Sequence, residues 1–313
     1  MRCLLVLLLL AQDPQVEITP RATKSNPAAA PAAPLPQANI RIDTNVVLVP
    51  VNVTDPLNRF VAGLEQADFR VFEDGVEQKI LSFGNEDAAL SIGIVFDTSG
   101  SMGSKLAVSR LSVAEFFKTA NPEDEAFLFT VSSLPSRASS FTRDFDTLLS
   151  QALFTQAGGS TALVDTIYAA VGQMRSAHHG RRAILVVSDG MDNHSRYSKT
   201  ELMAAAVEAD LQIYTISVFD PPRNKKPIEL KEEHDGVFFL EELSKRTGGI
   251  QMVVHDSAEA AQAAERMGRV MRDQYLIGYV PERATDNGKW HSIKIAVRAP
   301  DARAYARSGY YSK

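Results

Sequence analysis

The chain has 313 residues, enough for one large α/β domain with a smaller companion, and its 45% hydrophobic and 23% charged residues are those of a globular protein, not a disordered or fibrous one. A formal net charge of -5 gives no basic face on which to expect nucleic acid. Cys3 is the single cysteine, so the folded part has no disulfide framework, no thiolate nucleophile and no cysteine-based zinc site.

Met1-Arg2-Cys3 precedes an apolar run over residues 4–11, the charged-then-hydrophobic order of a secretory signal. Residues 1–15 therefore read as a signal peptide, with a truncated start left open as an alternative, and the protein is expected to be exported, to the periplasm, the medium or the cell surface. The run is too short to span a bilayer, and Asp13 and Pro14 end it abruptly. Residues 16–38 are rich in proline and alanine and read as an extended linker.

Residues 39–88 read as an all-β unit. Strands are expected at 40–42, 46–53, 69–73 and 78–83, with a turn at 56–59 and a hairpin at Asp74-Gly75. Such a unit is thin for a core of its own. Its expected partners lie in residues 276–313, where 274–280, 290–297 and 302–311 again read as short strands, with turns at Pro281 and Asn287-Gly288. The arrangement expected is one shared β-sandwich with residues 89–275 inserted into it, since domain termini commonly lie close together.

Within 89–275, strands alternate with helices, the pattern of a Rossmann-like α/β domain whose central, mostly parallel sheet is flanked by helices. Nearly continuous apolar runs at 91–96, 126–131, 183–187 and 211–218 read as strands buried on both faces. Helices are expected at 105–119, 162–176, 200–209, 238–247 and 258–271, with Gly248-Gly249 as a stop.

The first of these strands ends in Phe96-Asp97-Thr98-Ser99-Gly100-Ser101-Met102-Gly103. Alternate residues Asp97, Ser99 and Ser101 can converge on one small volume, at the strand end where open α/β sheets bind ligands. A second loop, Gly158-Gly159-Ser160-Thr161, adds a hydroxyl, and a third, Val187-Ser188-Asp189-Gly190, adds a carboxylate. An all-oxygen set with two carboxylates suits a hard octahedral ion: Mg²⁺ first, with Mn²⁺ or Ca²⁺ as alternatives.

These residues resemble the von Willebrand factor A family, whose metal-ion-dependent adhesion site has Asp-x-Ser-x-Ser, then a Thr, then an Asp. The resemblance implies that Ser99, Ser101 and Thr161 touch the metal and that Asp97 and Asp189 act directly or through water. It leaves one position for a carboxylate from a protein partner. The flanks are similar to a bacterial subset known chiefly from Acidobacteria, in which Leu-x-Gly-Tyr and Arg-x-Gly-Tyr-Tyr follow the domain; here these read Leu276-Ile277-Gly278-Tyr279 and Arg307-Ser308-Gly309-Tyr310-Tyr311.

A non-enzymatic binding protein is the expected class, with a metal-dependent hydrolase or a structural scaffold as alternatives. Ser99 and Ser101 lack the Gly-x-Ser-x-Gly frame of a nucleophile elbow, and neither an Asp-x-Asp phosphatase motif nor a phosphate-binding loop ending in Lys-Ser/Thr is present. Asp192, Asn193 and His194 read as a polar loop beside the site. His178-His179 reads as a helix-end pair favoured by the dipole. Residues 221–235 read as a solvated insertion, Phe238, Phe239 and Leu243 as core, and Trp290 as structural.

Overall fold

The computed structural model describes residues 46–85, 88–219, 227–282 and 288–312. The signal peptide expected at 1–15, the linker at 16–38, the strand at 40–42 and the basic residues at 223–226 lie outside the described residues. In chain order the elements are β1 (Val47–Thr54), β2 (Phe69–Glu73), β3 (Val76–Gln78) and β4 (Ile80–Asn85), then β5 (Leu90–Asp97), α1 (Leu106–Phe117), β6 (Glu125–Val131) and β7 (Ser136–Arg137). They continue with α2 (Phe145–Phe154), α3 (Leu163–Gln173), β8 (Arg181–Ser188), α4 (Lys199–Glu208), β9 (Gln212–Val218), α5 (Pro227–Thr247), β10 (Gln251–Val254) and α6 (Ser257–Arg272). The last strands are β11 (Tyr275–Tyr279), β12 (Trp290–Val297), β13 (Arg303–Tyr305) and β14 (Gly309–Tyr311).

The central sheet has the order β10-β9-β8-β5-β6-β7, parallel throughout except for β7. Strands β5 and β6 are buried along their whole length, which is why they are apolar on both sides instead of alternating. Side chains still point alternately to opposite faces. Ile92, Ile94 and Phe96 enter a core with Val113 and Phe116 of α1, Leu148 of α2 and Met267 of α6. Val95 enters a second core with Ile167 of α3, Leu202 of α4 and Phe239 of α5. Each such side chain contributes about 1.5–3 kcal/mol by leaving water.

The remaining strands form two four-stranded sheets, β13-β1-β11-β4 and β14-β12-β2-β3, in which every pairing is antiparallel. Each sheet draws strands from before β5 and from after α6. Val49 and Val51 of β1, Ile277 of β11, Phe69 and Val71 of β2 and Ile293 of β12 share one core. Asn85, the last residue of β4, lies directly opposite Tyr275, the first of β11.

Two arginines stand where these sheets meet the amino-terminal edge of the central sheet. Arg181 donates to the carbonyls of Ala88, Met271 and Arg272, and Arg307 pairs with Asp210 while donating to the Leu48 carbonyl. The buried Asn52 donates to the Tyr214 hydroxyl at 2.8 Å. A cleft of about 510 Å³ opens along this seam, lined in part by Leu48, Leu90, Arg181, Tyr275 and Arg307. No described helix is long and apolar enough to cross a membrane.

The structure departs from the sequence expectations at several points. Helix α5 begins at Pro227, well before the expected 238, so most of what reads as a solvated insertion among the described residues is helical. Phe239 is 2% exposed but Phe238 is 65% exposed, because the buried stripe of α5 runs through Phe239, Leu240 and Leu243, and Phe238, about 200° around the helix from Leu240, falls outside it. His178 lies beyond the short helical turn that ends at Ser176, and its Nδ1 meets Glu125 Oε2 at 2.7 Å. A carboxylate, not a helix dipole, is its partner. Helix α2 and strands β7 and β10 had no counterpart in the expectations. Trp290 packs edge-on against Tyr311.

Candidate metal centre

Strand order reverses at β5: the chain moves from β5 to β6 on one side, and β8 and β9 extend the other. Asp97 ends β5, and Asp189 follows the last residue of the adjacent β8, so both carboxylates stand at the switch point, where loops diverge and leave a crevice.

Backbone hydrogen bonds tie the three candidate loops together. Gly100 N–H donates to the Gly159 carbonyl at 3.0 Å, and Gly158 N–H to the Thr98 carbonyl at 2.8 Å. The amides of Asn193 and His194 both donate to the Thr161 carbonyl, and Thr161 N–H donates to Asn193 Oδ1. Loops from three separate stretches of sequence are thereby held as one surface.

Asp97, Ser99, Thr161 and Asp189 are buried, and Ser101 is half-buried. Asp97 Oδ1 accepts from the Ser99 amide at 2.9 Å and its Oδ2 from the Ser188 hydroxyl at 2.5 Å. The hydroxyls of Ser99 and Ser101 lie 3.1 Å apart. Among the described residues the Thr161 hydroxyl makes no hydrogen bond. Burial, and next the charge of Asp189, push the Asp97 carboxyl up to about 6, against the opposing pull of Ser188 and Ser99. Two buried carboxylates that repel one another, beside hydroxyls, form a hard all-oxygen donor set that a divalent cation would relieve. The residues fit such an ion on that ground.

Residues 92–191, which span all five candidates, match the family model of the von Willebrand factor type A domain. The chain carries a von Willebrand factor type A domain. The chain is similar in fold to a von Willebrand factor type A protein from Catenulispora acidiphila, at 10% identity and a TM-score of 0.50, over 87% of this chain and 74% of that one. BatB from Bacteroides thetaiotaomicron matches at 18% identity and TM-score 0.46, over 58% of this chain and 98% of that one. The von Willebrand domain of the pili tip protein Mfa5 from Porphyromonas gingivalis matches at 13% identity and TM-score 0.45, over 59% and 96%. No curated protein matches the chain.

Two residues that sequence reasoning missed stand beside Asp189. Lys105, at the start of α1 and 3% exposed, places its Nζ 2.7 Å from Asp189 Oδ2 and 3.1 Å from Glu233 Oε1 of α5. Burial alone would pull this ammonium down; Asp189 and Glu233 outweigh it and hold the group above its ordinary value. A lysine eight residues after Asp97 was a signal in view, but its partner on a distant helix was not.

Asp192 faces α3, accepting from the Val164 amide at 2.8 Å, and so caps the helix that follows Thr161. A second grouping, Glu73, Asp74 and His291, lies in the antiparallel sheets with its ligand atoms within 4.8 Å of one another. Protein donors already serve it: Tyr279 and Tyr310 donate to Glu73, the amide and hydroxyl of Ser292 donate to Asp74, and His291 Nδ1 meets Asp74 at 2.9 Å. It is a structural network.

Proposed function

We propose that this protein is an exported, non-enzymatic binding module whose A-type domain holds a divalent cation, Mg²⁺ or alternatively Mn²⁺ or Ca²⁺, and uses it to bind an acidic group of a protein partner. Asp97, Ser99, Ser101, Thr161 and Asp189 would hold the ion, which when bound would supply an electrophilic position for the partner's carboxylate. The observation that carries this reading is the meeting of two mutually repelling buried carboxylates with hydroxyls from two loops at the sheet's switch point. A binder is favoured over a hydrolase because the Ser99 hydroxyl meets Ser101, and no described histidine is hydrogen-bonded to either hydroxyl.

Calorimetric titration of the full chain with Mg²⁺ and Mn²⁺ tests the metal, and capture of envelope proteins with and without EDTA tests the partner. Saturable binding that Asp97→Ala abolishes, with capture lost in EDTA, is the expected outcome. Absence of saturable binding overturns the reading. Metal-dependent ester hydrolysis that disappears in Ser99→Ala would replace it with the hydrolase.

A further inference from the structure

The Lys105 ammonium occupies one oxygen of a candidate metal ligand, although its own partner charge sits on another helix. Asp189 Oδ1 accepts from the Met191 amide and Oδ2 from Lys105, so a cation arriving at Asp189 shares that carboxylate with a fixed positive charge. Glu233 takes a second hydrogen of the same ammonium. With Lys105, Asp189 and Glu233 all buried, water screens these charges little.

Helix α5, which carries Glu233, is also fixed against the Asp189 loop by its backbone. Gly190 adopts φ +78°, and a Cβ built there would fall 2.2 Å from the Gly236 carbonyl oxygen; a Cβ on Gly236 would fall 2.6 Å from the Asp189 carbonyl oxygen. This contact lies one helical turn beyond Glu233, so Glu233 and Asp189 keep their spacing on either side of the ammonium.

Building on the metal-binding reading above, we propose that Lys105 is a tethered cation that weakens the hold of Asp189 on the metal, and that Glu233 sets how strongly it does so by drawing off part of its charge. Both are positioning residues. Their effects on metal affinity have opposite signs: without the Glu233 charge, Lys105 bears wholly on Asp189 and competes harder with the metal, whereas without Lys105 the competitor is gone. A purely structural ion pair joining α1 to α5 would instead lose metal affinity in the same direction from either side.

The test titrates the full chain with Mg²⁺ alone by calorimetry, comparing the wild type with Glu233→Gln, Lys105→Met and the double variant, while near-ultraviolet circular dichroism monitors folding. Glu233→Gln, which keeps the hydrogen bond and removes the charge, is expected to bind about tenfold more weakly, and Lys105→Met about tenfold more tightly. The double variant, expected to bind at least as tightly as the wild type, carries the same sign test without the Glu233 charge facing a missing ammonium if Lys105→Met does not fold. Unchanged affinity in Glu233→Gln, or weaker binding in the folded variants lacking Lys105, overturns this proposal while the metal site stands. A wild type that binds no Mg²⁺ overturns both.

Discussion

Tyr279 donates its hydroxyl to Glu73 Oε2 at 2.5 Å, joining the Leu-x-Gly-Tyr stretch of β11 to the end of β2 in the facing sheet. Tyr310, from the Arg-x-Gly-Tyr-Tyr stretch, donates to the same oxygen at 3.0 Å. Burial, followed by Glu73, raises the Tyr279 hydroxyl well above the usual phenol range. Tyr279→Phe leaves a buried carboxylate short of a donor and is expected to cost about 1.5–3 kcal/mol, with a smaller loss for the less buried Tyr310→Phe. Urea denaturation checks both, and their combination with Glu73→Gln should be non-additive because all three share one network.

The pH dependence of the metal-free protein should carry the mark of Asp97. Its folded carboxyl is pushed up to about 6, above its ordinary 3.8. The folded state therefore holds this proton more tightly than the unfolded chain, and the contribution to stability is complete below about pH 4 and lost as pH rises through about 6. Thermal melts in EDTA across that window should show the decline, and Asp97→Asn should flatten it. Saturating Mg²⁺ should oppose the decline, since the metal needs the ionised carboxylate.

Gly190 and Gly172 should respond to alanine with opposite signs. Gly190 sits at positive φ with the backbone of Gly236 against it, so Gly190→Ala is expected to destabilise by more than about 2 kcal/mol and to reduce Mg²⁺ affinity by displacing Asp189. Gly172 lies within α3, and nothing stands within 4 Å of a Cβ built there. Gly172→Ala should stabilise by roughly 0.5–1 kcal/mol without altering metal binding. Chemical denaturation of both variants, with a metal titration of each, is the measurement.

We also propose that residues 89–275 form the inserted unit. Expressed alone, this segment should give a cooperative melt, whereas residues 39–88 and 276–313 should fold only together. Independent folding of both flanking fragments would refute the partition.

Much of this was legible because buried parallel strands advertise themselves: the apolar run ending in Phe96 and the run ending at Val187 locate Asp97 and Asp189 with no knowledge of packing. Lys105–Glu233 was not legible, because an ion pair 128 residues apart leaves no local pattern, and the charged start of α5 shows no hydrophobic periodicity. Phe238 misled because its apolarity matched its neighbour Phe239 while its angle around the helix did not. Helix α2 had an available sign in Asp144, whose side chain accepts from the Thr147 amide at 2.9 Å, but it lies among short polar turns that mask the start of a helix.

The pairing of Asn85 with Tyr275 has a mechanical consequence. The chain runs into β5 and out of α6 at neighbouring points of one sheet, so tension applied to the metal loops would reach β4 and β11 together from the same end. Those two strands need not slide past one another under such a load. The resistance would fall on the five residue pairs between β11 and β1, stretched in parallel and not opened one by one, with the Arg307 tie to Asp210 beside them.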